Sequence, residues 1–359
     1  MKISYFETAQ YFPPQQITFE WPVPPGAGES DAGVQAFESM LSRLRMIERL
    51  GFDWVSLSEH HYSPRTLTPN PTVTAAYLAA ALERLTIAVL GPIVPHTNPV
   101  RVAEELAVVD NLAPGRLVVG LLRGTMYEYL AYDLKPDEAR DRTNEGMELI
   151  LKAWREPQPF GWQGRYFQFR TVAIWPQPVS RPGPPTMILG TSKETCEFAA
   201  RHRLGLGVSF APYDVVRRAT DYYRERCAVY GWEPGPDDIL YRANILMADS
   251  DEEAQHILDA LEGDVPLAVL RPEIRDALIR AETGNRAGPV IKPNVAGVLS
   301  TTFLGSPDTI VGQARKVRSE LGAGVLDLNF RNYAGRGESP LTDALQLFGE
   351  KILPQLRDI

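Results

Sequence analysis

The chain has 359 residues, of which 44% are hydrophobic and 23% are charged, and its formal net charge is −8. This composition excludes a disordered chain, and the acidic balance disfavours a nucleic-acid partner. No apolar run approaches the ~20 residues of a membrane span and the N-terminus has no signal-peptide pattern, which together predict a cytoplasmic protein without a membrane partner.

Eight short apolar runs, each typical of a buried strand, are spread along the chain. In chain order they cover residues 2–6, 54–57, 86–90, 116–122, 186–190, 204–209, 241–247 and 325–330. Helical patterns follow them at 34–50, 72–84, 99–113, 138–154, 193–203, 213–230, 307–321 and 341–355. A strand followed by a helix, eight times over, predicts an α/β protein. Its expected fold is a single (β/α)8 TIM barrel over residues 1–359 and not a doubly wound sheet.

Three stretches interrupt the alternation, after strands one, four and seven. Residues 12–33 are rich in proline and glycine, and residues 156–185 predict a hairpin inserted before the fifth strand. Residues 259–300 are irregular and carry the hinge-like glycines Gly263, Gly284, Gly288 and Gly297. Because long irregular segments in compact enzymes are often lids, we interpret 259–300 as a mobile lid, with a static excursion or a dimer contact as the alternatives.

Ionisable side chains follow the second strand, in the stretch GFDWVSLSEHHYSP. Glu59, His60 and His61 stand where that strand ends, which in such barrels is where catalytic residues lie. Histidine titrates near neutral pH and is the usual general acid or base, so a catalytic role competes with a purely structural one. A metal site is the third interpretation, but it needs ligands from elsewhere, and we predict none. The other histidines are His96, His202 and His256.

Three stretches together resemble the signature regions of the bacterial luciferase-like flavin-dependent monooxygenases. They are GFDWVSLSEHHYSPRTLTPNPTVTAAYLAA, LTIAVLGPIVPHTNPVRVAEELAVVDNLAPGRLVVGLLRG and GTSKETCEFAARHRLG. The resemblance implies a (β/α)8 barrel that binds reduced FMN at the strand C-termini. There the flavin reacts with O2 to a C4a-peroxyflavin, which oxygenates a small organic substrate. A separate flavin reductase supplies the reduced FMN in such systems, and we expect a homodimer.

The resemblance also assigns roles to residues. The catalytic histidine of the family's Glu-His-His motif falls on His60. Arg123, at the end of strand four in GLLRGT, is expected to grip the FMN phosphate, with Gly124 and Thr125 allowing close backbone approach. An ordinary surface salt bridge is the competing role for Arg123.

The stretch GTSKET after strand five is the second expected phosphate contact. Thr191, Ser192 and Thr195 stand at the first turn of a helix, where free N–H groups and the helix dipole attract an anion. A capping box formed by Thr191 as N-cap and Glu194 explains the same residues structurally, and the two roles are compatible.

The flavin ring is expected to lie against strand three. Leu90 and Gly91 fall where the family has a non-prolyl cis peptide, although Gly91–Pro92 is a second cis candidate. Leu122 stands where the light-emitting luciferases have a cysteine, which disfavours light emission but not oxygenation. Two alternatives stay open: a hydride-transfer enzyme that uses the deazaflavin F420, and a non-catalytic flavin-binding protein.

Overall fold

Parallel strands close into one barrel in this computed structural model, which describes residues 1–12, 21–262, 302–330 and 337–359. In chain order the strands are β1 (Lys2–Phe6), β2 (Trp54–Leu57), β3 (Thr86–Ile93), β4 (Leu117–Leu122), β5 (Phe160–Gln163), β6 (Gln168–Val172), β7 (Thr186–Leu189), β8 (Gly205–Ser209), β9 (Ile239–Met247), β10 (Thr302–Gly305) and β11 (Val325–Asn329). Parallel pairing runs in the order β1, β2, β3, β4, β7, β8, β9, β11 and back to β1. The predicted (β/α)8 barrel is therefore confirmed, with the eight predicted strands in the ring.

Helices surround this ring. In chain order they are α1 (Ala32–Leu50), α2 (Pro71–Ala81), α3 (Pro99–Leu112), α4 (Met126–Ala131), α5 (Pro136–Arg155), α6 (Lys193–His202), α7 (Tyr213–Val229), α8 (Asp251–Glu262), α9 (Pro307–Lys316), α10 (Glu338–Leu347) and α11 (Leu353–Leu356). Single π-helical turns at Val317–Leu321 and Phe348–Ile352 extend α9 and α10. Within the described ranges, no helix has the length and apolar character needed to cross a bilayer.

The helices after β2 and β3 begin in the same way. Asn70 and Asn98 accept backbone N–H bonds of the first helical turn through their side chains. Pro71 and Pro99 occupy the first helical position, where a missing N–H costs nothing. These Asn-Pro pairs fix where α2 and α3 start, and so they fix the ends of the loops that carry His60 and His96.

The insertions are described in part. The predicted hairpin in 156–185 is confirmed, since β5 and β6 pair antiparallel. Residues 13–20 of the first insertion lie outside the described residues. So does the predicted lid from residue 263 onward, including its four glycines, and only its start at the end of α8 is described. The sequence did not predict α4, whose six residues are too short to show a helical period. It also did not predict β10, which pairs with β9 outside the eight-strand ring.

The barrel interior is layered. Toward the amino ends of the strands it is apolar, filled by Trp54, Ala88, Leu90, Val118, Met187, Leu240 and Val325. Gly120 of β4 allows this packing, because a Cβ there would come within 2.9 Å of Leu90. The apolar layer closes the floor beneath the site.

A buried ion pair lies further along the strands. Arg242 Nε of β9 donates to Asp327 Oδ2 of β11 at 2.6 Å, and Nη2 donates to Ser56 Oγ of β2 at 3.2 Å. Ser56 Oγ in turn donates to Asp327 Oδ1 at 2.8 Å. Because both charged side chains are almost fully buried, removing either one leaves the other uncompensated.

We expect Arg242→Met to lower the free energy of unfolding by about 3–5 kcal/mol, because the Asp327 carboxylate then stays buried without its cation. The measurement is urea unfolding followed by circular dichroism. The control is Arg218→Met, which breaks an exposed pair with Asp214 within α7 and should cost no more than ~0.5 kcal/mol. Equal losses in the two variants would contradict a special role for the buried pair.

Candidate active site

A cavity of about 290 Å³ opens at the carboxyl ends of the barrel strands. Its wall draws on five strand ends around the ring, through Phe6, His60, Thr125, Phe210 and Asn329. Catalytic groups of (β/α)8 barrels lie at this end of the strands. The cavity is therefore the candidate active site.

The predicted catalytic histidine lies in the cavity wall beside a buried carboxylate. His60 Nδ1 is 3.0 Å from Oε1 of Glu128, and their side chains are 42% and 1% exposed. Glu128 belongs to α4, and its Oε2 accepts hydrogen bonds from the Thr125 amide at 2.8 Å and the Thr125 hydroxyl at 2.5 Å. Thr125 lines the cavity, and its hydroxyl is bonded to Glu128; its expected place beside the FMN phosphate stays a prediction.

The charge of Glu128 gives the two ring nitrogens of His60 different roles. Burial raises the pKa of Glu128, but hydrogen bonds from His60 and Thr125 outweigh it and hold that pKa below the usual value. Glu128 is thus an ionised acceptor, so Nδ1 of His60 carries the proton between them. Nε2 is left to exchange a proton with a ligand, which is the arrangement that a general acid or base needs.

Polar groups also surround the N-terminus of α6. Ser192 Oγ accepts a hydrogen bond from the Thr195 amide at 3.3 Å and is 3.0 Å from Thr195 Oγ1. The N-cap predicted at Thr191 is therefore wrong by one residue, because the Ser192 hydroxyl reaches the free amide; half-buried Thr191 immediately precedes the cap. Arg140 Nη1 of α5 donates to Ser192 Oγ at 3.3 Å. The sequence analysis missed Arg140, which no local motif marks.

Arg123 lies exposed after β4 and forms no ion pair with any described residue. The pKa of the Glu194 carboxyl is lowered first by hydrogen bonds at the start of α6, and further by the charges of Arg140 and Arg123. Arg140 Nη1 lies 3.5 Å from Glu194 Oε2 at this helix terminus. Gly124 turns the chain with φ +84°, and a Cβ there would come within 2.7 Å of Ile93.

The β3 side of the mouth differs from the expectation. Leu90 is buried inside the barrel, Leu122 is half-buried at the end of β4, and the β3–β4 register shifts after Leu90. Among the described residues the cis peptide bonds are Trp21–Pro22, Trp175–Pro176 and Arg181–Pro182. The cis bond expected at Leu90–Gly91, or else at Gly91–Pro92, is therefore wrong. Gly91 redirects β3 with trans bonds by adopting φ +151°, where a Cβ would lie 2.9 Å from the Glu59 amide.

The other two residues of the Glu-His-His motif face a different partner. Glu59 Oε1 is 3.1 Å from His61 Nε2 and 2.7 Å from His96 Nε2. Glu59 Oε2 accepts a hydrogen bond from the Ile93 amide at 3.0 Å. The sequence did not predict that His96 lies beside Glu59. His96 follows β3, which is the direct neighbour of β2.

These residues fit the FMN that the resemblance implies. A phosphate needs cations, and Arg123 and Arg140 supply them near the first turn of α6. Arg140 also pairs with Glu194 at 3.5 Å, and the Thr195 amide is bonded to Ser192 Oγ. The hydroxyls of Ser58 and Ser209, after β2 and at the end of β8, are buried without a hydrogen-bond partner among the described residues. Orphaned hydroxyls at the mouth suit the polar edge of a bound ring.

We expect Glu128→Gln to change the tautomer of His60. Ionised Glu128 holds the proton on Nδ1, whereas the amide of glutamine can donate to Nδ1 and leave the proton on Nε2. The ¹⁵N chemical shifts of the His60 imidazole report the tautomer directly. Glu194→Gln, an exposed carboxylate distant from His60 in the chain, is the control and should leave these shifts unchanged. Unaltered His60 shifts in Glu128→Gln would contradict the assignment.

Known proteins resemble this chain in sequence and in fold. The model of the luciferase-like monooxygenase family matches residues 18–323. The oxygenase component of a flavin-dependent trigonelline monooxygenase from Acinetobacter baylyi is 26% identical over 228 residues, which make up 62% of each chain. Matches of this kind span between 52% and 62% of the length of the curated relatives.

Solved structures share the whole barrel. The monooxygenase RslO1 from Streptomyces bottropensis is 25% identical, with a TM-score of 0.75 over 99% of both chains. An F420-dependent secondary alcohol dehydrogenase has the same fold at 16% identity, with a TM-score of 0.70 over 99% of both chains. The fold alone therefore does not identify a cofactor, while the family match covers most of the sequence. The chain belongs to the luciferase-like monooxygenase family.

Proposed function

We propose that this protein is an FMN-dependent monooxygenase that uses reduced FMN and O2 to oxygenate a small organic substrate. The observation that carries the proposal is the hydrogen bond between His60 and buried Glu128 in the wall of the cavity. Such a pair holds one imidazole nitrogen and leaves the other for proton transfer. A non-catalytic flavin-binding protein does not need a histidine that is positioned for proton transfer.

The phosphate of FMN is proposed to bind between Arg123, Arg140 and the first turn of α6, where Ser192 and Thr195 present their hydroxyls. One helix N-terminus contributes only about 0.3–1 kcal/mol to holding a charge, whereas micromolar affinity needs about 8 kcal/mol. The two guanidinium groups and burial of the ring therefore supply most of the binding free energy. Half-buried Leu122 is proposed to contact the ring on the β4 side, with the buried Leu90 and Gly91 of β3 supporting it from below.

The chemistry divides between the cofactor and the chain. When bound, reduced FMN supplies the electrons that activate O2. His60 Nε2 is proposed to take up or release the proton during oxygenation, while Glu128 stabilises the charged imidazole through Nδ1. Aromatic side chains, among them Phe6, Trp21 and Phe210, line the cavity and limit the access of water to the reaction.

Two protein partners are proposed. A separate flavin reductase would supply reduced FMN, in line with the trigonelline relative being named an oxygenase component. A homodimer is supported by Val73 and Tyr77 of α2 and Val108 and Leu112 of α3, exposed apolar side chains on two helices that pack side by side. Sedimentation velocity that finds only a 40 kDa species at micromolar concentration would contradict the dimer.

We expect Arg123→Ala to weaken FMN binding at least about tenfold, because a charge-assisted hydrogen bond contributes roughly 1.5–3 kcal/mol. Binding of riboflavin, which has no phosphate, should change less than about threefold. Fluorescence titration of each flavin measures both affinities. Arg140→Ala should behave in the same way, and the exposed Arg218→Ala is the control. A parallel loss for FMN and riboflavin would mean that Arg123 is structural.

We expect His60→Ala to bind reduced FMN within about threefold of the original protein but to lose more than tenfold in the O2-dependent step, since positioned acid–base groups contribute ~10²–10⁴. Stopped-flow absorbance after mixing bound reduced FMN with O2 gives the rate. The control is His202→Ala in α6, away from the cavity. Equal rates would remove His60 from the mechanism. Binding of F420 in preference to FMN, without reaction with O2, would favour the hydride-transfer alternative.

A further inference from the structure

Glu59, His61 and His96 form a compact buried cluster beside the cavity. Their ligand atoms all lie within 4.8 Å of one another, and each side chain is more than nine-tenths buried. The sequence analysis set a metal site aside because the Glu-His-His motif needed a ligand from elsewhere. His96, contributed by the neighbouring strand β3, supplies that ligand.

Outer contacts fix the orientation of all three side chains. The second oxygen of Glu59 is held by the Ile93 amide, and His61 Nδ1 lies 3.3 Å from the Tyr132 hydroxyl. The His96 ring stacks on Tyr132, with centroids 4.1 Å apart and an interplanar angle of 8°. Metal-binding histidines and carboxylates are typically oriented by hydrogen-bond partners. Glu59 and His61 have such partners, whereas His96 Nδ1 is buried without one among the described residues.

Nitrogen atoms face both oxygens of the Glu59 carboxylate. They are His61 Nε2 and His96 Nε2 at one oxygen and the Ile93 amide at the other. Across the described ranges, the ion-pair partners of Glu59 are the two histidines, with no lysine or arginine. Buried charges in proteins are usually paired with an opposite charge or bound to a metal.

We propose that Glu59, His61 and His96 bind one divalent transition-metal ion of the zinc class, through the two Nε2 atoms and one carboxylate oxygen. Two imidazoles and one carboxylate suit zinc and its neighbours, and three protein ligands leave a position for water. Ligand atoms of a tetrahedral zinc site lie about 3.3 Å apart. The carboxylate–imidazole separations of 2.7 Å and 3.1 Å therefore need to open by about 0.2–0.6 Å, while the two Nε2 atoms lie within 4.8 Å of one another and need to reach the same spacing.

Such an ion would join the loop after β2, which carries His60, to the loop after β3. Its role is structural, and no step of the proposed oxygenation passes through it. The competing arrangement is a metal-free triad in which both neutral imidazoles donate N–H to Glu59. The two arrangements differ in whether a metal ion can replace those two protons, which is a question that direct binding answers.

The test uses the full chain, stripped with a chelator and then dialysed against Co²⁺ or Zn²⁺ separately. We expect one tightly bound ion per chain, with visible Co²⁺ absorption bands that indicate a low coordination number. His96→Ala and Glu59→Gln should each weaken the binding at least about 100-fold. His256→Ala, an exposed histidine of α8, is the matched control and should bind as the original protein does.

The original protein decides the question even if a variant folds poorly. Less than about one tenth of an equivalent of bound Co²⁺ and Zn²⁺ at a free concentration near 100 μM would overturn the site. Binding that survives in a correctly folded His96→Ala or Glu59→Gln would also overturn it. Because FMN binding and the reaction with O2 are measured independently, failure here is distinguishable from failure of the proposed function.

Discussion

A carboxylate taken out of water must be given hydrogen-bond donors, and this requirement organises the mouth of the barrel. Among the glutamates buried there, Glu128 and Glu59 are the two that contact histidines. The first receives one imidazole and the backbone and hydroxyl of Thr125, and the second receives two imidazoles and the Ile93 amide. Adjacent His60 and His61 thus serve different carboxylates, one beside the cavity and one behind it. The position of His60 follows from this division.

The same requirement links distant parts of the chain. The Glu128–His60 contact joins α4 to the loop after β2. The Glu59–His96 contact joins the loop after β3 to that same loop. Below them, Arg242 and Asp327 join β9 to β11 and, through Ser56, to β2. The loop that carries His60 is therefore held from three directions. A histidine held in this way can present one nitrogen to a ligand reproducibly, which is the condition for acid–base catalysis.

Much of this could be predicted from the sequence, because periodic patterns are local. Buried strands and amphipathic helices repeat over many residues, so the barrel and its insertion before β7 were evident. The motif TMYE, with Thr125 three residues before Glu128, has the spacing of a capping box and could have revealed α4. His96 needed one more step, since β2 and β3 are parallel neighbours and residues after their ends lie close together.

Other features could not be found in this way, because they depend on contacts between residues far apart in the chain. Arg140 lies at the start of α6 only because α5 packs there, and no pattern in its own segment marks it. The backbone at Gly91 depends on the space that Glu59 leaves, so the cis peptide carried over from the family was wrong. The choice between Thr191 and Ser192 as N-cap was a matter of one residue, and helix boundaries are uncertain at that level.

The central claim is that this cavity directs the reaction of reduced FMN with O2. The most direct measurement is to reduce FMN photochemically with the protein under anaerobic conditions, admit air and follow the absorbance spectrum. We expect the bound flavin to pass through a spectrum distinct from both reduced and oxidised FMN, at a rate that differs from that of free FMN. Reoxidation identical to that of free FMN, with hydrogen peroxide released from the start, would contradict it.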